Sequence, residues 1–283
     1  MIAPLPKQLV EEAVTRALRE DLGDAGDITT IATTPVGAKA KAVIAARKPG
    51  VIAGVNAALA AFRLIDPSIN LSIVNGDGAH VEKGDVVLTI DGAARSILSA
   101  ERVALNFVCH LSGIATATAA LVEAVKGTNA KVSCTRKTTP GLRAFEKHAV
   151  RCGGGTNHRF GLYDAVMIKD NHIAAAGNVA KALSDARNIL GHMVKIEIEV
   201  DSLTQLDEVF AATPSADVIL LDNFSLEDLV TAVNTNKGRA TLEASGNVTI
   251  ETINAIAKTG VDVISSGWIT HSAPSLDLGL DFD

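Results

Sequence analysis

From Lys131 onward the chain repeats one pattern, a short apolar run that ends in polar or glycine residues and is followed by a helix-like stretch. The runs cover 132–135, 165–168, 195–200, 218–221, 240–244 and 261–265, so the pattern recurs every 20 to 35 residues. That spacing leaves room for one helix between successive strands, which is what parallel pairing requires. The strands are therefore expected to form a parallel sheet buried on both faces. No strong dinucleotide fingerprint is present, which favours a barrel over a doubly wound sheet. Six units are fewer than the eight of a standard barrel, so closure should be smaller or incomplete.

The first half is of a different kind. Residues 7–21 carry Leu9, Val10, Ala13 and Leu18 at near-helical spacing. A turn-rich segment, EDLGDAGDITT, precedes an apolar strand pattern at 42–46, a helix at about 56–65 and the short strands of GDGAHVEKGDVVLTIDG. A long helix is expected to start at Ser99, a good N-cap. Overall composition agrees with buried parallel strands, because 47% of residues are hydrophobic and only 3% aromatic, leaving Ala, Val, Ile and Leu to build the core.

Three function classes are disfavoured. A net charge of −6 argues against nonspecific nucleic-acid binding, which needs a basic excess. Cys109, Cys134 and Cys152 make an odd count without a CxxC pair, so neither a disulfide framework nor a zinc site is readable and a reducing, cytoplasmic compartment is expected. The N-terminal residues lack a basic stretch leading into an apolar run, and the most apolar long segment, 104–125, includes His110, Glu123 and several hydroxyls, so no membrane role is expected.

Charge is concentrated where the repeats begin. Between Lys131 and Lys169 eight Lys and Arg residues face two acids, Glu146 and Asp164. Lys131, Arg143, Lys147 and Arg151 read as a solvated face. Arg136, Lys137 and Lys169 lie just beyond apolar runs, at the strand ends where barrel loops meet, and Arg159 lies in a glycine-rich loop between two runs. Glu199, Asp201, Asp222, Ser245, Gly246 and Gly267 occupy the corresponding positions on later strands.

In KIEIEVD, Glu197, Glu199 and Asp201 share one face and Ile196, Ile198 and Val200 the other. Carboxylates turned into a barrel need cations, from lysine, arginine or a Mg²⁺ ion carried with a pyrophosphate, and Asp222 at the end of VILLD is the natural second ligand. CGGGTNHR, residues 152–159, is a glycine loop able to approach an anion, or simply a turn. EASGN and SGWITHS supply glycine-lined amides in the last two loops, where barrels commonly bind phosphate. These features describe an enzyme for a phosphorylated, Mg²⁺-associated substrate and a second anionic molecule, with neither named.

The ordered motifs TRKTTPGLR, GGGTNHRFGL, KDNH, EIEVD, LLDN, EASGN and SGWITHS resemble those of the quinolinate phosphoribosyltransferases, and the resemblance runs from EDLGDAGDITT to the C-terminus. It implies an α/β sandwich at 1–110, with 270–283 a candidate to complete it, and an open, six-stranded, TIM-like α/β barrel at 111–269. It also implies transfer of phosphoribosyl from phosphoribosyl pyrophosphate to quinolinate with decarboxylation, in a homodimer or larger homo-oligomer. By the same resemblance, Arg136, His158, Arg159 and Lys169 line the dicarboxylate, and Arg102 reaches it from the partner subunit. Lys137 and Lys169 stand near the pyrophosphate, and Glu199 and Asp222 near Mg²⁺ and the ribose. Ser245, Gly246, Gly267 and His271 match the 5′-phosphate loops. No protein nucleophile is implied, and Cys134 and Cys152 are left to packing.

Two positions depart from the family pattern. His148 stands where tyrosine is common, and Trp268 follows Gly267 where a smaller or aliphatic residue is usual. Three rivals remain: a paralogue acting on another aza-aromatic acid, a noncatalytic metabolite-binding protein, and a biotinyl or lipoyl carrier. The carrier reading rests on GDGAHVEKGDVVLTIDG but lacks the modifiable lysine context it needs.

Overall fold

The computed structural model describes residues 2–282. In chain order the elements are α1 Lys7–Leu22, α2 Ile28–Thr33, β1 Lys39–Ala46, β2 Gly50–Val51, α3 Val55–Ile65, β3 Asn70–Ile73, β4 His80–Val81 and β5 Val86–Ala93. Next come α4 Ala94–Ala124, β6 Lys131–Ser133, α5 Arg143–Cys152, β7 Val166–Ile168, α6 Asp170–Ala176, α7 Val179–Ile189, β8 Ile196–Val200 and α8 Leu203–Ala211. The last are β9 Val218–Asp222, α9 Leu226–Asn236, β10 Thr241–Ser245, α10 Ile253–Lys258, β11 Val263–Ser265, α11 Trp268–His271 and β12 Leu278–Phe282. They form two compact units, one of residues 1–119, 139–154 and 272–283, the other of 120–138 and 155–271.

The first unit is built on an antiparallel sheet of order β12-β1-β5-β3. Ile44, opposite both Leu88 and Leu280, and Ala42, opposite Ile90, put the buried face of β1 against apolar partners. Helix α3 turns Ala57, Ala58, Leu59, Ala61 and Phe62 inward and packs against α1. The C-terminal strand reaches the sheet because the chain before it lies directly on α4. A Cβ on Gly113 would sit 2.1 Å from the Pro274 carbonyl oxygen, and the Leu276 N–H donates to the Cys109 carbonyl at 3.0 Å. Only glycine allows that approach.

Helix α4 begins at Ala94, ahead of the expected start. Ser99 is therefore inside it, and its hydroxyl donates to Asp27 Oδ2 at 3.1 Å instead of capping. Asp27 itself caps α2, a short helix inside the segment that reads as turns, by accepting from the Thr30 N–H at 2.9 Å. Among the described residues α4 is the one helix long and apolar enough to cross a membrane, and 56% of its most apolar window is buried inside the protein. Residues 139–154 pack in this unit and not with the repeats that flank them in sequence. Lys147, taken above as part of a solvated face, is fully buried on α5, and Arg143 is half-buried.

The second unit carries the six repeats as a parallel sheet of order β6-β11-β10-β9-β8-β7. Sequential strands are neighbours from β7 to β11, and β6 closes on β11. β6 and β7 do not pair, so the barrel is open at that seam, where Thr156 bridges only to Ser133. Three of the helices between strands start at side-chain caps: Asn178 Oδ1 accepts from the Lys181 N–H at α7, Ser202 Oγ from Gln205 at α8, and Ser225 Oγ from Asp228 at α9. At the opposite end of the strands Asp217 accepts from Lys195, Arg187 and the Ile196 N–H. Burial pushes its carboxyl up, but these partners overcome that and hold it at about 2.

Candidate active site

Strand register decides which side chains face the barrel interior. In the parallel sheet Met167 lies opposite Glu197, Glu199 opposite Leu220, and Asp222 opposite Ser245. Side chains alternate, so Lys169, Glu197, Glu199, Asp222, Glu243, Ser245 and Ser265 project to one side. Ile196, Ile198 and Val200, all buried, face the covering helices. Asp201, one residue past the strand, is exposed, and its N–H donates to Gln205 Oε1.

Lys169, at the start of α6, pairs through Nζ with Glu199 Oε2. Its own N–H donates to His172 Nδ1 at 3.0 Å, fixing the KDNH turn. Asp222 accepts from the Ser245 hydroxyl at 2.6 Å and from Asn223 Nδ2 at 2.9 Å. Beside it Asn223 is left-handed (φ 56°). Gly246, at φ 95°, leaves no room for a side chain, because its Cβ would fall 2.0 Å from Asn223 Oδ1. Lys137 is exposed on a turn whose N–H donates to Thr135 Oγ1 and whose carbonyl accepts from the Thr270 hydroxyl at 2.7 Å. That bond ties the loop after β6 to α11, which starts directly after Gly267 and ends at His271. Trp268 is 45% exposed.

Arg136 and Arg159 are both half-buried, and each has a buried Nε with no hydrogen-bond partner. Burial lowers the Arg159 guanidinium's affinity for its proton, and the nearby Arg136 charge lowers it further. Arg159 keeps one anchor, Nη1 donating to the Ala165 carbonyl at 3.1 Å. Two like charges with idle buried donors are costly unless an anion joins them.

His158 is engaged at both ring nitrogens. Nδ1 accepts from the Arg159 N–H at 2.8 Å, so the ring proton lies on Nε2, 2.9 Å from Glu197 Oε2. Glu243 Oε1 is 3.8 Å from the same nitrogen. Burial first, and the Glu197 charge second, push the Glu243 carboxyl up to about 7. Glu243 was passed over in the sequence although it lies two residues before Ser245 on the same face. The period-two rule that singled out Glu199 applies to it equally.

Of the residues predicted from sequence, Arg136, Lys137, His158, Arg159, Lys169, Glu199, Asp222, Ser245, Gly246, Gly267 and His271 all belong to the second unit. Arg102 is an exposed residue of α4 in the first.

Comparison with known proteins bears on the whole length. Residues 27–112 match the family model for the quinolinate phosphoribosyl transferase N-terminal domain, and 114–281 that for its C-terminal domain. The nicotinate-nucleotide pyrophosphorylase (carboxylating) of Mycobacterium leprae is 46% identical over 99% of this chain and 100% of its own. A probable counterpart in Bacillus subtilis is 44% identical over 93% of this chain and 89% of its own. Among solved structures, the nicotinate-nucleotide pyrophosphorylase of Francisella tularensis superposes with a TM-score of 0.95 at 40% identity, covering 100% of this chain and 99% of that one. With both domain models in order and the α/β architecture shared end to end, the chain belongs to the quinolinate phosphoribosyltransferase family.

Proposed function

We propose that this enzyme transfers the phosphoribosyl group of phosphoribosyl pyrophosphate to the ring nitrogen of quinolinate, releasing pyrophosphate and carbon dioxide and leaving nicotinic acid mononucleotide. The observation that carries this reading is the pair Arg136 and Arg159, two guanidiniums with unpartnered buried Nε donors. Guanidinium forks match planar carboxylates, and a second carboxylate gives the second arginine its partner.

In the transfer, the bond from the pyridine nitrogen to the ribose anomeric carbon forms as the bond to pyrophosphate breaks. Charge builds on the leaving group and on an oxocarbenium-like ribose. The protein's part is to orient both substrates and to neutralise that charge in place. Lys137 and Lys169 supply positive charge to the departing pyrophosphate. Ser245, Gly246, Gly267 and His271 hold the 5′-phosphate. In the decarboxylation, the electron pair of the broken carbon–carboxylate bond stays on the ring carbon beside the new pyridinium and takes up a proton. Arg136 and Arg159 hold the ring throughout, with His158 fixing the Arg159 backbone.

Glu199 and Asp222 present only oxygen donors, a set that fits a hard cation such as Mg²⁺. When bound there with the substrate, Mg²⁺ would supply further neutralisation of pyrophosphate charge. Arg102 is placed in the site of a partner subunit, in a homodimer at minimum, by resemblance to the family. A reducing, cytoplasmic setting, expected from the odd cysteine count, belongs to the same reading.

The test is a mass-resolved assay of the purified chain with phosphoribosyl pyrophosphate and Mg²⁺, offering quinolinate or nicotinate, with and without metal. Product and carbon dioxide from quinolinate alone are expected. Turnover of nicotinate, or binding of the phosphoribosyl donor without product, would move the assignment to a paralogue with another ring substrate.

A further inference from the structure

A second group of ligating side chains lies in the first unit. We propose that Asp77, His148 and Cys152 form a binding site for one divalent transition-metal ion of the zinc class. A carboxylate oxygen, a ring nitrogen and the Cys152 sulfur lie within 4.8 Å of one another. His148 and Cys152 stand four residues apart on α5, so they leave the helix on the same face. Asp77 arrives from the turn before β4 and places Oδ2 2.7 Å from His148 Nε2.

The carboxylate is held from behind. Asp77 Oδ1 accepts from the Val55 N–H at 2.9 Å, which directs the other oxygen toward the histidine, as outer hydrogen bonds do for metal ligands. Metal–ligand bonds of about 2.0–2.3 Å at tetrahedral angles set ligand atoms about 3.3–3.7 Å apart. The Asp77–His148 contact would open slightly and the sulfur would close in. Both are side-chain adjustments.

The donor set selects the metal class. One thiolate, one imidazole and one carboxylate suit zinc and its neighbours and are poor for Mg²⁺ or Ca²⁺. Burial, and then the Asp77 charge, push the Cys152 thiol up to about 12. A divalent ion coordinated there displaces the thiol proton and offsets the Asp77 charge, so its binding should strengthen as pH rises. A cleft of about 530 Å³ lined in part by Asp77, Gly78 and His148 reaches two of the three ligands from outside.

The full chain, stripped with a chelator and titrated with Co²⁺, tests the site. We expect one equivalent to bind with tetrahedral ligand-field bands and a thiolate-to-cobalt charge-transfer band, and excess Mg²⁺ not to displace it. Cys152→Ser should abolish the charge-transfer band, whereas Cys109→Ser should retain it. His148→Gln should weaken binding by at least the roughly 10- to 100-fold that outer-sphere losses cost. X-ray absorption on the zinc-loaded unmodified chain avoids dependence on variants that fail to fold. One sulfur at about 2.3 Å with nitrogen and oxygen at about 2.0–2.1 Å is expected. A shell of nitrogen and oxygen only, a band indifferent to Cys152→Ser, or no Co²⁺ bound would overturn the site and leave an Asp–His hydrogen bond beside a buried thiol.

Discussion

Arg136 and Arg159 illustrate how a single atom can carry a functional argument. Their charge is ordinary; their buried, unpartnered Nε donors are not. Replacing either by lysine keeps the charge but removes the fork. Since a hydrogen bond to a charged group is worth about 1.5–3 kcal/mol, kcat/KM for quinolinate should fall by about 10- to 100-fold in each variant, measured by steady-state kinetics. Glu243 offers a different readout. Its carboxyl, at about 7 in the folded protein against 4.5 ordinarily, holds a proton that the unfolded chain has already released between those values. The folded state binds more protons there, so stability falls as pH rises from about 4.5 to about 7 and then levels. Glu243→Gln, neutral throughout, should remove that decline. Melting curves of both proteins at about pH 5 and pH 8 check it, and parallel slopes would count against a protonated Glu243.

At the level of elements, the loop after β10 is held by steric exclusion and not by a cap. Gly246 at φ 95° leaves no space for a methyl group beside Asn223. Gly246→Ala should cost about 1–3 kcal/mol of stability in thermal unfolding, the usual range for forced backbone strain. Because this loop is assigned to the 5′-phosphate, KM for phosphoribosyl pyrophosphate should rise more than KM for quinolinate. Gly191→Ala is the control, since nothing lies within 4 Å of its Cβ position and its φ is not left-handed. That change should stay within about 0.5 kcal/mol of the parent. Helix α5 makes the complementary point. It follows β6 in sequence as a barrel helix would, yet it packs in the first unit with Glu146, Lys147 and His148 all buried.

For the molecule as a whole, the open seam between β6 and β7 shows that six repeats suffice to gather one cluster of strand ends without closing a ring. The proposed dimer, with Arg102 contributed across subunits, has a distinct signature. Arg102→Ala and Lys137→Ala proteins should each be impaired alone. Mixed under conditions that exchange subunits, half the dimers become hybrids with one intact site each, so about a quarter of the parental activity should return. Hybrids demonstrated by mass spectrometry with no recovery would rule out the shared site.

Much of this was present in the chain before folding. The spacing of the apolar runs determined the parallel sheet, and their polar ends determined where Lys169, Glu199 and Asp222 would stand, because period and strand direction are local properties of a chain. The start of α4 was misread at Ser99, since a hydroxyl that caps one helix can equally bond Asp27, 72 residues away. The idle donors of Arg136 and Arg159, the shifted proton on Glu243 and the meeting of Asp77 with His148 and Cys152 were decided only by tertiary structure. Burial, and contacts between groups far apart in sequence such as the 71 residues separating Asp77 from His148, arise only once distant segments are packed together.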